Sequence, residues 1–244
     1  VAEKARQVLA VIEEIRTDSS GDDQGLTGEV VLGCTPPYCK SIGLDVLREL
    51  RNDYPGIELR LVASHSADTI RMVLDGAFHM GLIQMNDIDQ PALRKNVERK
   101  HLRYGELFED TMHVTVREGH PLAGRSGLCM SDLLDYPFVT TDSSVNRSLL
   151  DYYKSERGSG NIFFINDVCA LRSFLYHEDA VAVIPGHSLI HGNQLFRDQV
   201  VPLEVAELVD RCQMGWITRS VTEPAVQKVL KLLIAHGARV EGVR

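Results

Sequence analysis

Two short segments carry hydroxyls where an apolar run gives way to a helical pattern. They are Thr35-Pro36-Pro37-Tyr38 and Thr140-Thr141-Asp142-Ser143-Ser144. Such positions bring side-chain donors, and the unpaired N–H groups of a helix start, to where an anion can meet them. The chemistry suggested is recognition of a small carboxylate. Ser143 and Ser144 have a second reading as helix N-caps. Ser64 and His65 follow an alternating run, Gln84 ends another, and Asn166, Val168 and Cys169 enter a further helical pattern. Asp142 would repel an anion and is expected to face out. Arg147, one turn into its helix, is expected to stand solvated. Cys169 at a helix start could have a lowered pKa, but it is expected to be a buried, inert thiol.

Signatures of covalent or phosphoryl chemistry are missing. The chain has no Walker-type phosphate loop, no G-x-G-x-x-G and no H-E-x-x-H. It also has no G-x-S-x-G elbow. The five cysteines (Cys34, Cys39, Cys129, Cys169 and Cys212) are odd in number and scattered, unlike a secreted disulfide framework. They read as reduced thiols in a cytoplasmic protein. Cys34 and Cys39 have no matching second pair, so no zinc site or other cofactor is expected. A formal net charge of −8 makes a poor partner for a phosphate backbone. No run approaches the ~20 apolar residues of a membrane span.

The elements that must position these residues follow from periodicity. Residues 1–17 place Ala5, Val8, Leu9, Ile12 and Ile15 on one helical stripe, and polar residues 18–25 read as a linker. Glu29–Cys34 reads as a buried strand. A helix then carries Ile42, Val46, Leu47 and Leu50, and Ile57, Leu59 and Leu61 alternate as a second strand. A helix over 66–75, capped by Gly76, leads to a third strand, His79–Gln84. This β-α-β-α-β order implies a parallel sheet. Residues 85–101 read as a polar crossing segment. A strand over Thr111–Val116 and a turn over 119–124 follow. The second series has strands Phe138–Thr141, Ile162–Ile165 and Ala180–Ile184, with helices over 144–156 and 167–177. Residues 212–218 read as a strand, and Pro224 opens a last helix with Val226, Val229, Leu230 and Leu233 inward.

In order and spacing, these segments resemble the effector-binding (regulatory) domain of LysR-type transcriptional regulators. The marks are GEVVLGCTPPYC, then LDVLRELRNDYPGIELRLVASHSADTIRMVLDGAFHMGLI, REGHPLAG at 117–124, IND at 165–167, and a strand ending in Ile184-Pro185. Three features depart from the family pattern. His79 stands for the acidic residue usual at the start of the third strand. Glu178 and Ala180 stand for two glycines. Residues 18–25 are unusually polar.

The resemblance implies an α/β fold of two Rossmann-like lobes with a ligand cleft between them, like a type 2 periplasmic binding protein. The expected division is a linker helix and linker over 1–25, lobe I over 26–101 and 206–244, and lobe II over 102–205. It implies a small-molecule effector, here a small anion, and a homodimer or higher homo-oligomer. DNA would be bound only through an N-terminal winged helix-turn-helix outside this sequence, and no membrane is expected as a partner. The resemblance places effector contact at the Thr35 loop. The expected ligand-binding set is Thr35, Pro36, Tyr38, Ser64, His65, Gln84, Thr140, Thr141, Ser143, Asn166, Val168 and Cys169. A solute-binding protein of a transport system shares the architecture, but five unpaired cysteines and an amphipathic helix before the first strand weigh against it. A small two-lobed α/β enzyme would need a nucleophile or acid–base pair that the sequence does not show.

Overall fold

The computed structural model describes residues 25–85, 95, 99–100, 102–141, 147–187, 189, 200–206, 208, 211–219 and 222–241. The expected helix over 1–17, nearly all of the linker after it, most of the 85–101 segment, and Asp142, Ser143 and Ser144 lie outside the described residues. The chain divides into two compact units, one of residues 1–108 with 213–244 and one of residues 109–212. The divisions fall inside two strands, each about seven residues beyond the boundary expected from the sequence.

In the first unit, β1 (Gly28–Cys34) is the middle of three parallel strands, flanked by β2 (Ile57–Ala63) and β3 (Met80–Gln84). The register pairs Cys34 with Ala63 on one side and with Leu82 on the other, so the three carboxyl ends lie side by side. After β1, a helical turn Pro36–Tyr38 runs into a π-helical segment Cys39–Gly43 and then α1 (Leu44–Asp53). Val46 and Leu50 of α1 are buried. Helix α2 (Ser66–Asp75) buries Ile70, Val73 and Leu74 and ends on Gly76 in the left-handed region at φ 81°. Its inner face joins Phe78, Ile83, Leu102 and Ile217 in one apolar cluster. The β-α-β-α-β order implied a parallel sheet, but the sheet is not wholly parallel. Strand β4 (Arg103–Arg117) carries the chain out of this unit, and β9 (Arg211–Thr218) returns to pair antiparallel with β3.

In the second unit, β4 pairs antiparallel with β7 (Ala182–Pro185) and with β8 (Val200–Leu203). A parallel pair, β5 (Phe138–Thr140) and β6 (Ile162–Phe164), lies between short helix α3 (Met130–Leu133), α4 (Arg147–Arg157) and α5 (Val168–His177) in chain order. Val139, Leu171, Leu175, Ala180, Ala182 and Ile184 form its core cluster. The last helix, α6 (Pro224–Glu241), belongs to the first unit and packs on α1 and β1 with Val226, Val229, Leu230 and Leu233 buried.

Two strand readings need correcting. The strand expected over 111–116 runs fifteen residues, Arg103–Arg117. A buried carboxylate hides its alternation: Asp110 accepts the His187 N–H at 3.1 and 3.2 Å. Strand β8 escaped notice because Pro202 interrupts it, and proline is confined to edge or bulge positions in sheets.

The His-Pro-Leu turn is built around an inward histidine. His120 is 2% exposed. Its Nδ1 accepts the Leu122 N–H at 3.0 Å, so Nε2 carries the hydrogen and donates to the Asp179 carbonyl at 3.0 Å. Asp179 takes the left-handed conformation at φ 46°, and Arg117 Nε holds its carboxylate at 2.6 Å. Burial, the largest cause, lowers the His120 pKa from its ordinary 6.5. The unfolded chain therefore binds the proton more readily than the folded one. The stability this histidine contributes is complete above pH 6.5 and is lost as pH falls through its folded value. Urea unfolding across this range should give a midpoint that falls on acidification, with a shallower fall in His120→Gln. An unchanged slope in the variant would remove His120 as the cause.

Candidate functional site

The first unit gathers its hydroxyl and amide residues at the carboxyl ends of β1, β2 and β3. This is where open α/β sheets place ligands. The Ser64 N–H donates to the Cys34 carbonyl at 2.9 Å, which sets Ser64 and His65 beside the Thr35 loop. Gln84 is buried at the end of β3, and its N–H donates to Ser66 Oγ at 2.9 Å. Ser66, 2% exposed at the start of α2, was not singled out from the sequence. The signal available was a serine opening a ten-residue amphipathic helix.

Thr35 differs from its neighbours. It is 4% exposed, yet its Oγ1 has no hydrogen-bond partner among the described residues. Buried hydroxyls are usually paired, and an orphan costs about 1–3 kcal/mol. Its carbonyl, by contrast, accepts the N–H groups of Tyr38 at 3.0 Å and Cys39 at 2.9 Å.

The expected source of anion attraction here must be corrected. Pro36 and Pro37 occupy the first helical positions, and proline has no N–H. The next two amides are already taken by Thr35 itself. The helix start after Thr35 therefore offers an anion nothing but the hydroxyl. The start of α2 is the better donor. Its N-cap, His65, makes no side-chain cap bond, and the first helical hydrogen bond is from the Thr69 N–H to the His65 carbonyl at 2.8 Å. The first-turn amides of α2 and its dipole are thus left for a guest.

The remaining first-unit candidates divide. Ser64 and His65 are half-buried and Pro36 borders the loop. Tyr38 is fully buried, its ring 5.6 Å from Phe108 in an edge-on contact, so it serves the core.

In the second unit, Thr140 is 2% exposed, and its Oγ1 donates to the Thr141 carbonyl at 3.2 Å. The Ile165 N–H donates to the Thr140 carbonyl at 2.8 Å, bringing Asn166 beside the end of β5. Asp167 caps α5, its Oδ1 accepting the Ala170 N–H at 2.7 Å. Val168 packs half-buried against the core cluster. Cys169 is exposed, not the buried thiol expected, because it stands on the outer side of the first turn of α5. An open groove of about 370 Å³ between β4 and the segment after β8 is lined by Thr111, His113, Leu128, Leu203, Glu204 and Val205. None of the residues expected at a site lines it. Among the described residues no cluster of His, Cys, Asp or Glu could hold a metal ion.

The fold belongs to a recognisable class. The family model for the LysR substrate binding domain matches residues 23–238. The chain belongs to the LysR substrate-binding domain family, as the sequence resemblance implied. Among curated relatives, the HTH-type transcriptional regulator YtlI of Bacillus subtilis (strain 168) is 21% identical over 202 residues, which is 82% of this chain and 62% of YtlI. The chain thus spans about three-fifths of that relative's length. The relatives are transcriptional regulators, not transporters, which sets aside the transport reading. Among solved structures, the CcmR regulatory domain of Synechocystis PCC6803 in complex with 2-PG superposes with a TM-score of 0.65 at 18% identity, covering 86% of this chain and 97% of that one. The effector binding domain of QuiR in complex with shikimate gives 0.65 at 14% identity, covering 88% and 99%. No described helix is long and apolar enough to cross a membrane.

Proposed function

We propose that this domain senses a small organic anion at the carboxyl ends of β1, β2 and β3. Thr35 Oγ1 donates to the carboxylate, and the uncapped first turn of α2 supplies further N–H donors. The observation that carries the reading is Thr35, a buried hydroxyl without a partner among the described residues, just past the end of the central parallel strand. A ligand oxygen would satisfy it. The likeness to domains solved with 2-PG and with shikimate, itself a carboxylate, supports an anionic guest. Ser64, His65 and Gln84 border the site. In the second unit Thr140, Thr141, Asn166 and Val168 form the proposed counterpart at its own strand ends, to be tested by its own variants.

The domain acts as a sensor, not a catalyst, within a cytoplasmic homo-oligomeric regulator. Such a regulator touches DNA through a winged helix-turn-helix outside this sequence. The effector works by favouring one arrangement of the regulator over another through differential contacts. A thermal-shift screen of small organic acids tests the anionic preference. Binding to the folded state alone raises the melting temperature by mass action. At least one carboxylate should stabilise the protein in a concentration-dependent way, while its neutral amide analogue should not. Stabilisation by neutral apolar compounds only would defeat the anion reading.

A further inference from the structure

From Met112 to Thr115 one edge of β4 pairs with β7, and from Val114 to Arg117 the other edge pairs with β8. If the β8 ladder continued, it would set Glu204 against His113, Val205 against Met112 and Ala206 against Thr111. It stops at Leu203 instead. Gly127, in the left-handed region at φ 68°, precedes Leu128, which bridges in parallel to Val205. The Ala206 N–H donates to the Leu128 carbonyl at 3.0 Å. The segment after β8 therefore takes Leu128 as its partner, and the groove of about 370 Å³ opens where it parts from β4. The groove lies wholly within the second unit.

Its lining has two parts. Met112, Val114, Leu128, Leu203 and Val205 are buried and make an apolar floor. Thr111, His113 and Glu204 are the polar lining. With histidine neutral, Glu204 brings the one formal charge among the lining residues. It is exposed, and among the described residues its carboxylate makes no hydrogen bond or ion pair. A cleft of this volume with an apolar floor and a few polar groups is the usual form of a small-molecule site.

We propose that this groove is a further binding site and that it takes a small organic cation, an ammonium on an apolar body. The body covers the apolar floor, and the ammonium stands at the Glu204 carboxylate. Charge selects this class of guest. An anion would be repelled by Glu204 and by a chain whose formal net charge is −8. A neutral apolar molecule gains the floor but not the carboxylate. Because Glu204 is exposed, its ion pair adds little, and the preference for a cationic head over a neutral one is about three- to fivefold. Most of the affinity comes from burial of the apolar body. The site shares no residue with the strand-end site proposed above and does not depend on it.

The test compares phenethylammonium, phenethyl alcohol and hydrocinnamate, which share one body and differ in the charge of the head. Amide chemical shifts of the isotope-labelled 244-residue chain show where each binds and how tightly. Phenethylammonium should give saturable shifts at residues 111–114, 127–128 and 203–206. The alcohol should bind the same residues about three- to fivefold more weakly, and the carboxylate more weakly still. Glu204→Gln should bring the ammonium down to the affinity of the alcohol. Ala206→Trp, at the exposed rim, should fill the groove and abolish its shifts. Thr35→Val should leave phenethylammonium binding unchanged, which separates this site from the strand-end site. The head-group comparison and the surface Glu204→Gln variant decide alone if Ala206→Trp does not fold. No shift at the groove up to about 10 mM phenethylammonium, a range that reaches millimolar affinities, would overturn the proposal. Equal affinity for the ammonium and the alcohol, or undiminished ammonium binding in folded Ala206→Trp, would overturn it as well.

Discussion

Thr35→Val is expected to weaken binding of the carboxylate effector roughly ten- to a hundredfold, while leaving the unliganded domain as stable as before or more so. The two signs come from one observation. Thr35 Oγ1 is buried and has no hydrogen-bond partner among the described residues. Valine keeps the shape and removes a desolvated group that nothing satisfies, which relieves a cost of about 1–3 kcal/mol. In the complex the same hydroxyl would donate to a charged oxygen. Losing such a bond costs about 1.5–3 kcal/mol, which is the affinity change stated. Calorimetric titration with a carboxylate from the thermal screen measures the first effect, and urea unfolding without ligand measures the second. Equal affinity in wild type and variant would move the site away from Thr35. A large loss of unliganded stability would mean that Thr35 has a structural partner and is not waiting for a ligand.

Gly81→Val is expected to destabilise the first unit by about 3 kcal/mol, the upper end of the range for overpacking, and to weaken effector binding. Gly33 and Gly81 are paired neighbours on β1 and β3, and α2 lies directly over them. A Cβ at Gly81 would stand 2.3 Å from Thr69 Cγ2, and one at Gly33 would stand 2.8 Å from that atom and 2.6 Å from the Phe78 ring. Overpacking of this kind typically costs about 1–3 kcal/mol. Valine adds two methyls beyond that Cβ, and Thr69, itself β-branched, has little rotamer freedom to retreat. The helix must lift, and Ser66 and the donor amides at its start lift with it. Urea unfolding reads the stability loss. Gly160→Ala, with nothing within 4 Å of the added carbon, is the matched control and should be close to neutral. A Gly81→Val protein with wild-type stability would show that α2 does not need the glycine pair.

Where local pattern and tertiary packing agree, the elements were legible. The alternation of Ile57, Leu59 and Leu61, the Tyr-Pro-Gly stop and the Gly76 cap all describe what forms. The two strands that were misjudged are those whose signal is masked by a tertiary compensation. Asp110 is tolerated inside β4 because the His187 amide meets it, and Pro202 is tolerated in β8 because the strand lies at an edge. The candidate site could be proposed by position, but its donors could not. Thr35, Ser64 and Gln84 could be assigned to strand ends, since a parallel sheet puts successive carboxyl ends together. That Pro36 and Pro37 leave an anion no amides could have been read directly from the residues. That Thr35 Oγ1 has no partner among the described residues, Tyr38 is sealed against Phe108, and Cys169 is exposed depends on packing that no local pattern encodes.

The central claim is that an anionic effector completes the hydrogen bonding of the Thr35 hydroxyl. A crystal structure of the chain with a carboxylate that raises its melting temperature tests this most directly. The account predicts a carboxylate oxygen within hydrogen-bonding distance of Thr35 Oγ1, at about 2.5–3.0 Å, with the first-turn amides of α2 turned toward the same group. A well-ordered carboxylate bound elsewhere, with Thr35 Oγ1 still unpartnered, would contradict it.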